Sequence, residues 1–412
     1  MSNFEIKSQP KKVIFCKKCL YSNQKVIPST ISNDNHEHTN RFFLRFNKDG
    51  ICSACELIEK KRSISKEKIN WEKREKELNI FLEKYRSKNG SYDCIVPGSG
   101  GKDSVFQAHI LKTKYGMNPL TVTFSPIKYT DIGASNFHKW PENGNVNNIL
   151  FTPKGSTYGK LVRIAFEKML HPFQPFIFGQ RHFASHMAKI FNIKLIFFGE
   201  PHSEFGSEKD EENKPEMLDR FFTKNDKQKI FLSGIEVNKL MKDYNIRKSD
   251  LDFFLPMDSK EVRKLNIKQI FLGYYEKILP QENFYNAVKV TDFKVNEERT
   301  EGTYSKYNSI DDKIDGFHYW TSFIKFGIGR TTEEASNEIR HGYITRDEGI
   351  KLVNKYDGEF PKKYFKDFLK LTNLNEEEFF NIVDQFRPKH LWEKSGNDFR
   401  FGKNWILKNR IE

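Results

Sequence analysis

Between Tyr92 and Ser104 the chain reads YDCIVPGSGGKDS, and this stretch narrows the folds open to it more than any other. Apolar residues up to Val96 suit a buried strand, Pro97 ends it, and Gly98, Gly100 and Gly101 permit backbone conformations that a Cβ resists. A helix opening near Ser104 then points its positive end at the turn. Backbone N–H groups and the hydroxyls of Ser99 and Ser104 converge there, and phosphate is the natural occupant. Downstream, Val105 to Tyr115 reads as a helix, Gly116 as its stop, and PLTVTF at Pro119 to Phe124 as a second strand. Strand, glycine turn, helix and parallel strand make the βαβ unit of a doubly wound α/β sheet, whose ligands sit at the carboxyl ends of the strands. Asn148 to Thr152 and Ile193 to Gly199 read as further strands. Glu200 then faces the same crevice and is a catalytic candidate, although a solvated turn residue is an equal reading.

The turn departs from two familiar phosphate loops. GxxxxGK[ST] requires Ser or Thr directly after the Lys, and here Asp103 follows Lys102. GxGxxG fails as well, because Lys102 and Asp103 follow Gly101.

Four of the five cysteines form two CxxC pairs, Cys16/Cys19 and Cys52/Cys55. Two such pairs in one short segment match a structural zinc ribbon, in which four thiolates close a tetrahedral shell. His36 and His38 lie between the pairs as competing ligands, and an iron–sulfur cluster is the alternative occupant. Disulfides are not expected of a cytoplasmic chain.

The organisation follows from these landmarks. Residues 1–62 read as the zinc-ribbon-like module, 63–90 as an amphipathic linker helix, 91–257 as the α/β nucleotide-binding domain, and 258–412 as a mostly helical region that completes the site. Start signals for helices occur at Thr331/Glu334, Thr345/Glu348 and Asn375/Glu378. Phe residues at helical spacing near residues 365–386 read as core. The charged run EFGSEKDEENK at Glu204 to Lys214 reads as a loop and a candidate lid.

Other constellations carry less chemistry. His182 and His186 are four apart but lack the Glu of HExxH, so a zinc protease is excluded. Cys94 falls inside the first strand and reads as a buried apolar residue. FIKFGIGR at Phe323 to Arg330 places Lys325 and Arg330 around Gly327 and Gly329, where two cations could neutralise charge developing on a leaving pyrophosphate. Surface charge in a loop is the equal alternative.

A net charge of +14 raises nucleic acid as a partner. The surplus is mostly N-terminal, since residues 1–90 hold 20 Lys and Arg against 11 Asp and Glu. No apolar run reaches the roughly 18 residues of a membrane span, and the N-terminus lacks the apolar core of a signal peptide. A cytoplasmic protein without membrane contact is expected.

SGGKDS resembles the PP-loop of ATP pyrophosphatases, which cleave ATP to AMP and pyrophosphate while adenylating a substrate. Together with CKKC, CSAC, LHPFQPFIFGQ at Leu170 to Gln180 and KFGIGRTTEEASNEIRHGYITRDEGIKLVNKYDGEFP at Lys325 to Pro361, it resembles the N-acetyl sugar amidotransferase family, PseA/WbpG-like proteins of bacterial surface-glycan pathways. The resemblance implies a Rossmann-like PP-loop domain preceded by a zinc-ribbon-like segment. It implies conversion of an acetamido group, on a nucleotide-linked or nonulosonic sugar, to acetamidino through an adenylated intermediate. ATP, Mg2+ and Zn2+ are the implied cofactors. Residues Gly98, Ser99, Gly100, Gly101, Lys102, Asp103 and Ser104 would hold the phosphates, Asp103 would contact magnesium, and Lys325 and Arg330 would face the phosphates from the other side. The chain offers no cysteine placed as a glutaminase nucleophile. The resemblance therefore implies a separate glutaminase, similar to the histidine-pathway glutaminase and cyclase pair, as ammonia source. The competing readings are a PP-loop tRNA-modifying enzyme, opposed by the lack of any cysteine after Cys94, and a zinc-ribbon nucleic-acid binder, opposed by the intact turn. Nucleic acid is thus not expected as a partner.

Overall fold

The computed structural model describes residues 6, 8–27, 42–62, 69–199, 202–206, 214–225, 229–396 and 404–412. Glu200, His36 and His38 lie outside the described residues, as does most of the charged run after Glu204.

Five strands build the central sheet: β1 (Cys94–Pro97), β2 (Pro119–Phe124), β3 (Asn147–Phe151), β4 (Leu195–Phe198) and β5 (Lys268–Phe271). They lie in the order β3-β2-β1-β4-β5 with every pairing parallel. The order reverses between β1 and β4, so the glycine turn after β1 opens at the switch point, where such sheets leave a crevice for ligand.

The strands alternate their burial between two layers, as a period of two requires. Ile95, Leu120, Val122, Phe124 and Ile196 join one core, against α5 (Gly155–Met169) and α6 (Gln174–Ile190). Cys94, Val96, Leu195, Phe197 and Ile270 face the other way, toward α2 (Trp71–Glu83), α3 (Lys102–Thr113) and α7 (Pro280–Thr291). Cys94 is fully buried, and burial, with a contribution from Asp93, raises its thiol pKa well above the ordinary range. His182 and His186 are structural too, their rings donating to the Phe254 and Leu255 carbonyls at 2.7 and 2.9 Å.

The sheet is completed from beyond residue 257, in the region read as helical. β5 pairs with β4 over Lys268 to Phe271, so residues 91–257 and the C-terminal region share one sheet. After it the chain is mostly helical, with α8 (Asp315–Phe326), α9 (Arg330–His341), α10 (Arg346–Tyr356), α11 (Phe365–Thr372) and α12 (Glu376–Gln385), and it closes on an antiparallel pair of short strands, Trp392–Lys394 and Trp405–Leu407. Phe166 of α5 stacks on Phe379 of α12 with centroids 4.9 Å apart, and Phe368 of α11 meets it edge-on. The C-terminal phenylalanines are therefore core.

Two of the three expected helix starts form capping boxes, Thr345/Glu348 and Asn375/Glu378. Thr331 does not cap. It lies inside α9, whose N-cap is Gly329, and the Asp357 carboxylate accepts from the backbone N–H groups of Gly329 and Thr331 at 3.0 and 2.9 Å. A carboxylate from a distant segment satisfies the orphan donors that a local Thr would have taken.

At the other end of the chain, isolated bridges Phe15↔Ser22, Val26↔Phe43 and Phe46↔Cys52 fold the first cysteine pair onto the second. Cys55 sits in the first turn of α1 (Ser53–Arg62). Lys61 of α1 pairs with Glu204, the first residue of the charged run, and so ties this module to the sheet's crevice side.

Candidate nucleotide site and metal centre

The turn after β1 has the shape its glycines impose. A Cβ on Gly98 would lie 2.2 Å from the Ser104 Cβ, and Gly100 has φ +81° with Phe137 Cα 2.9 Å from where its Cβ would be. Larger residues would push the turn off the start of α3. Gly101 is the N-cap, so the helix begins at Lys102, two residues before the position expected from sequence. Lys102 and Asp103 thus lie in the first helical turn, where the free N–H groups and the dipole favour anions.

A cavity of about 350 Å³ opens over this turn. Ser99, Gly101, Lys102 and Asp103 form its floor, and Phe173, Phe176 and Gln180 come from the segment leading into and along α6. The opposite wall is Tyr307 to Asp312, with Asp315 and Tyr319 of α8 and Arg330 of α9. Arg330, the distant cation expected to face the phosphates, lines this cavity. Its guanidinium pairs with Glu334 and Tyr319 and lies 4.3 Å over the Tyr319 ring. Burial opposes its charge, but Tyr319, Glu334 and Asp315 keep its pKa above the ordinary value.

Asp103 is held by two elements. Lys102 Nζ lies 2.6 Å from Oδ2, and Asn283 of α7 donates to Oδ1 at 2.8 Å. Burial alone would raise its pKa, yet Lys102, the Asn283 hydrogen bond and Arg330 hold it below the ordinary carboxylate value. An ionised carboxylate beside a glycine turn shaped for phosphate suits magnesium, a hard cation that prefers oxygen ligands and phosphate company.

Lys325 goes elsewhere. It occupies the last turn of α8, where its Nζ donates to the Met169 carbonyl at the end of α5, 2.9 Å away. A cation on a helix C-terminus is electrostatically favoured. It lines a separate cavity of about 130 Å³ with His171, His318 and Glu333, and does not border the phosphate turn. Lys325 ends α8 and Arg330 begins α9, with Gly327 as the C-cap of the first helix and Gly329 as the N-cap of the second, so the turn between them sends the two cations to different cavities.

The loop from Tyr307 to Asp312 carries site residues that the sequence reading missed. Ser99 Oγ donates to Asp311 Oδ2 at 2.8 Å. Burial, with Asp315 and Asp103 adding to it, pushes the Asp311 carboxyl up to about 6, against the Ser99 hydrogen bond and Lys102. The next residue anchors the loop: Asp312 accepts from the backbone N–H groups of Ile127, Lys128 and Ile314. Thr130 N donates to the Asp311 carbonyl at 3.1 Å. Ser309, at φ +54°, makes the turn between them.

The four paired cysteines are fully or nearly fully buried and form one cluster. Their sulfurs all lie within 4.8 Å of one another, with Cys16 to Cys55 at 3.9 Å and Cys19 to Cys52 at 3.7 Å. Sulfurs about 2.3 Å from a common tetrahedral ion would be spaced this way. A four-iron cluster would not fit between them, because its irons and sulfides spread the thiolates further apart. The residues fit a single zinc ion.

Residues 301–406 match the family described as "LPS biosynthesis protein WbpG-like, C-terminal domain". That span contributes Tyr307 to Asp312, Asp315, Tyr319 and Arg330 to the cavity. An uncharacterized protein of Methanocaldococcus jannaschii, MJ1599, is 45% identical over 53 residues, covering 13% of this chain and 19% of that protein. The chain thus spans about a fifth of the length of this relative. An NMN synthetase from Francisella tularensis aligns over 54% of this chain and 94% of its own at 13% identity, with a TM-score of 0.25, too low to bear on the fold. The span similar to the WbpG-like C-terminal domain thus forms one wall of the cavity over the SGGKDS turn.

Proposed function

We propose that the protein is an ATP-dependent sugar-modifying enzyme, and specifically an amidotransferase that turns a sugar acetamido group into acetamidino. The observation that carries this reading is the meeting of two segments in one cavity: the SGGKDS turn, and the WbpG-like wall with Asp311 and Arg330. The first suits the phosphates of ATP. The second belongs to a family named for lipopolysaccharide biosynthesis.

An amide carbon resists displacement because its oxygen leaves poorly. Bonding that oxygen to the α-phosphorus of ATP, with release of pyrophosphate, makes it a good leaving group. Ammonia then adds to the carbon, a proton is lost, and AMP departs with the former amide oxygen. The turn's N–H groups and Lys102 would bind the phosphates, and Arg330 would offset charge on departing pyrophosphate. Asp103 would hold the magnesium that accompanies ATP, whose contribution is charge neutralisation. Asp311 suits the proton acceptor, being ionised at neutral pH yet more basic than an ordinary carboxylate. Tyr319 borders both cavities, so the smaller one adjoins the reaction space. A separate glutaminase is the proposed ammonia source.

The test is the nucleotide product. Purified protein with ATP, magnesium, ammonium and nucleotide-linked acetamido sugars should form AMP and pyrophosphate only when a sugar is present. ADP formation, or AMP formation indifferent to sugar, would contradict the proposal.

A further inference from the structure

One stripe of α9 is given over to the cysteine module. Tyr21 donates to Glu333 Oε2 at 2.6 Å, and Lys25 pairs with the same carboxylate. The backbone N–H of Leu20 donates to Ser336 Oγ at 3.2 Å. Arg340 lies over the Tyr21 ring, 4.8 Å from its centroid. Glu333, Ser336 and Arg340 are three and four residues apart, which places them on one helical face. Arg330 begins the same stripe, and it is in the nucleotide cavity.

Arg340 stands out within this face. It is 6% exposed, and its Nε and Nη1 have no hydrogen-bond partner among the described residues. A buried guanidinium left short of partners is costly unless a negative field surrounds it. That field is present. Tyr21, whose ring the guanidinium covers, packs in the same buried cluster as Cys16, Cys19, Cys52 and Cys55, so the charge sits next to the four sulfurs. A divalent ion with four thiolate ligands keeps two net negative charges, and outer-shell groups of this kind govern how firmly such a metal is held.

We infer that Arg340 is a positioning residue that couples the metal centre to the nucleotide cavity: its buried guanidinium answers the charge of the metal tetrathiolate, and α9 passes that anchorage to Arg330. The cysteine module then serves to seat a phosphate-facing arginine, beyond stabilising its own fold. The inference rests on the nucleotide reading of the cavity and is independent of which sugar is modified.

The experiment uses the full-length zinc-loaded protein and its variants Arg340→Met, Arg340→Lys and Ser336→Ala. Zinc release to a chromogenic chelator and Mg-ATP affinity by calorimetry are measured on each. Arg340→Met should release zinc at least about tenfold faster and bind ATP about fivefold more weakly, with Arg340→Lys recovering most of both. Ser336→Ala, a milder change that serves if Arg340→Met does not fold, should keep its zinc and bind ATP about threefold more weakly. Wild-type zinc retention in Arg340→Met, or unchanged ATP affinity in Ser336→Ala or after zinc loss, would overturn the coupling. Absence of ATP binding by the wild type would instead strike at the nucleotide reading.

Discussion

Asn283 and Asp103 are 180 residues apart in sequence, and the Asn283 amide donates to Asp103 Oδ1 at 2.8 Å. The contact joins α7 to the first turn of α3, so a helix from beyond the sheet's last strand fixes the carboxylate proposed to hold magnesium. Replacing Asn283 with Ala should leave the fold intact and reduce kcat/KM for Mg-ATP about tenfold, the worth of a hydrogen bond to a charged group. Magnesium titrations of activity check this, and an unchanged magnesium requirement would count against Asp103 as the holder of the ion.

Asp311 gives a pH dependence with a definite sign. Its carboxyl is raised to about 6 in the folded protein, from an ordinary value of 3.8. The folded state therefore binds more protons than the unfolded state between these values, so this group's contribution to stability falls as pH rises through that window. Activity should do the opposite, rising with a midpoint near 6 as the base ionises. Charged and titratable neighbours on each side are Lys102 and Asp103 from the turn, Asp312 and Asp315 from its own segment, Tyr129, and Arg330 from α9. Asp311→Asn should lower kcat at least about a hundredfold, remove the acidic limb of the pH profile, and keep or raise thermal stability at neutral pH. Stability measured by thermal melts at several pH values separates the two effects.

Lys325 and Arg330 looked equivalent in sequence and differ in place. Arg330→Met should lower kcat/KM at least about a hundredfold, through loss of the cation proposed to offset charge on the phosphates. Lys325→Met should cost about 1 kcal/mol of stability through the lost bond to Met169, with kcat/KM for ATP within about threefold of wild type. Steady-state kinetics of the two variants side by side decide between the placements.

The sulfur geometry makes a claim about the metal. Protein purified without added metal should carry zinc at one site, and cobalt substitution should give the visible bands of a tetrahedral thiolate complex. Iron with inorganic sulfide in the purified protein would contradict the single-ion centre.

Local chemistry explains what the sequence disclosed. The turn at Gly98 to Ser104, the strand at Pro119 to Phe124, the Thr345 and Asn375 capping boxes and the four cysteines all depend on neighbours a few residues away. Three features depended on distant chain. Lys268 to Phe271 is too short and mixed in composition to signal a strand, and it becomes one by pairing with β4. Asp311 sits in a polar loop with no periodicity, and its role follows from Ser99, 212 residues earlier. Thr331 resembled a cap until Asp357, from beyond α10, took the donors at that helix start. Lys325 and Arg330 were separated by the turn at Gly327 to Gly329, which ends one helix and starts another in a geometry that sequence does not reveal.

The central claim is the reaction at the acetamido carbon, and the mass of the sugar product tests it most directly. Nucleotide-linked acetamido sugars incubated with the protein, ATP, magnesium and heavy-nitrogen ammonium should yield a product carrying the heavy nitrogen, with oxygen lost. With ordinary ammonium that product is lighter than its substrate by about one mass unit. A sugar recovered unchanged, or one that gains phosphate or AMP without gaining nitrogen, would contradict the account.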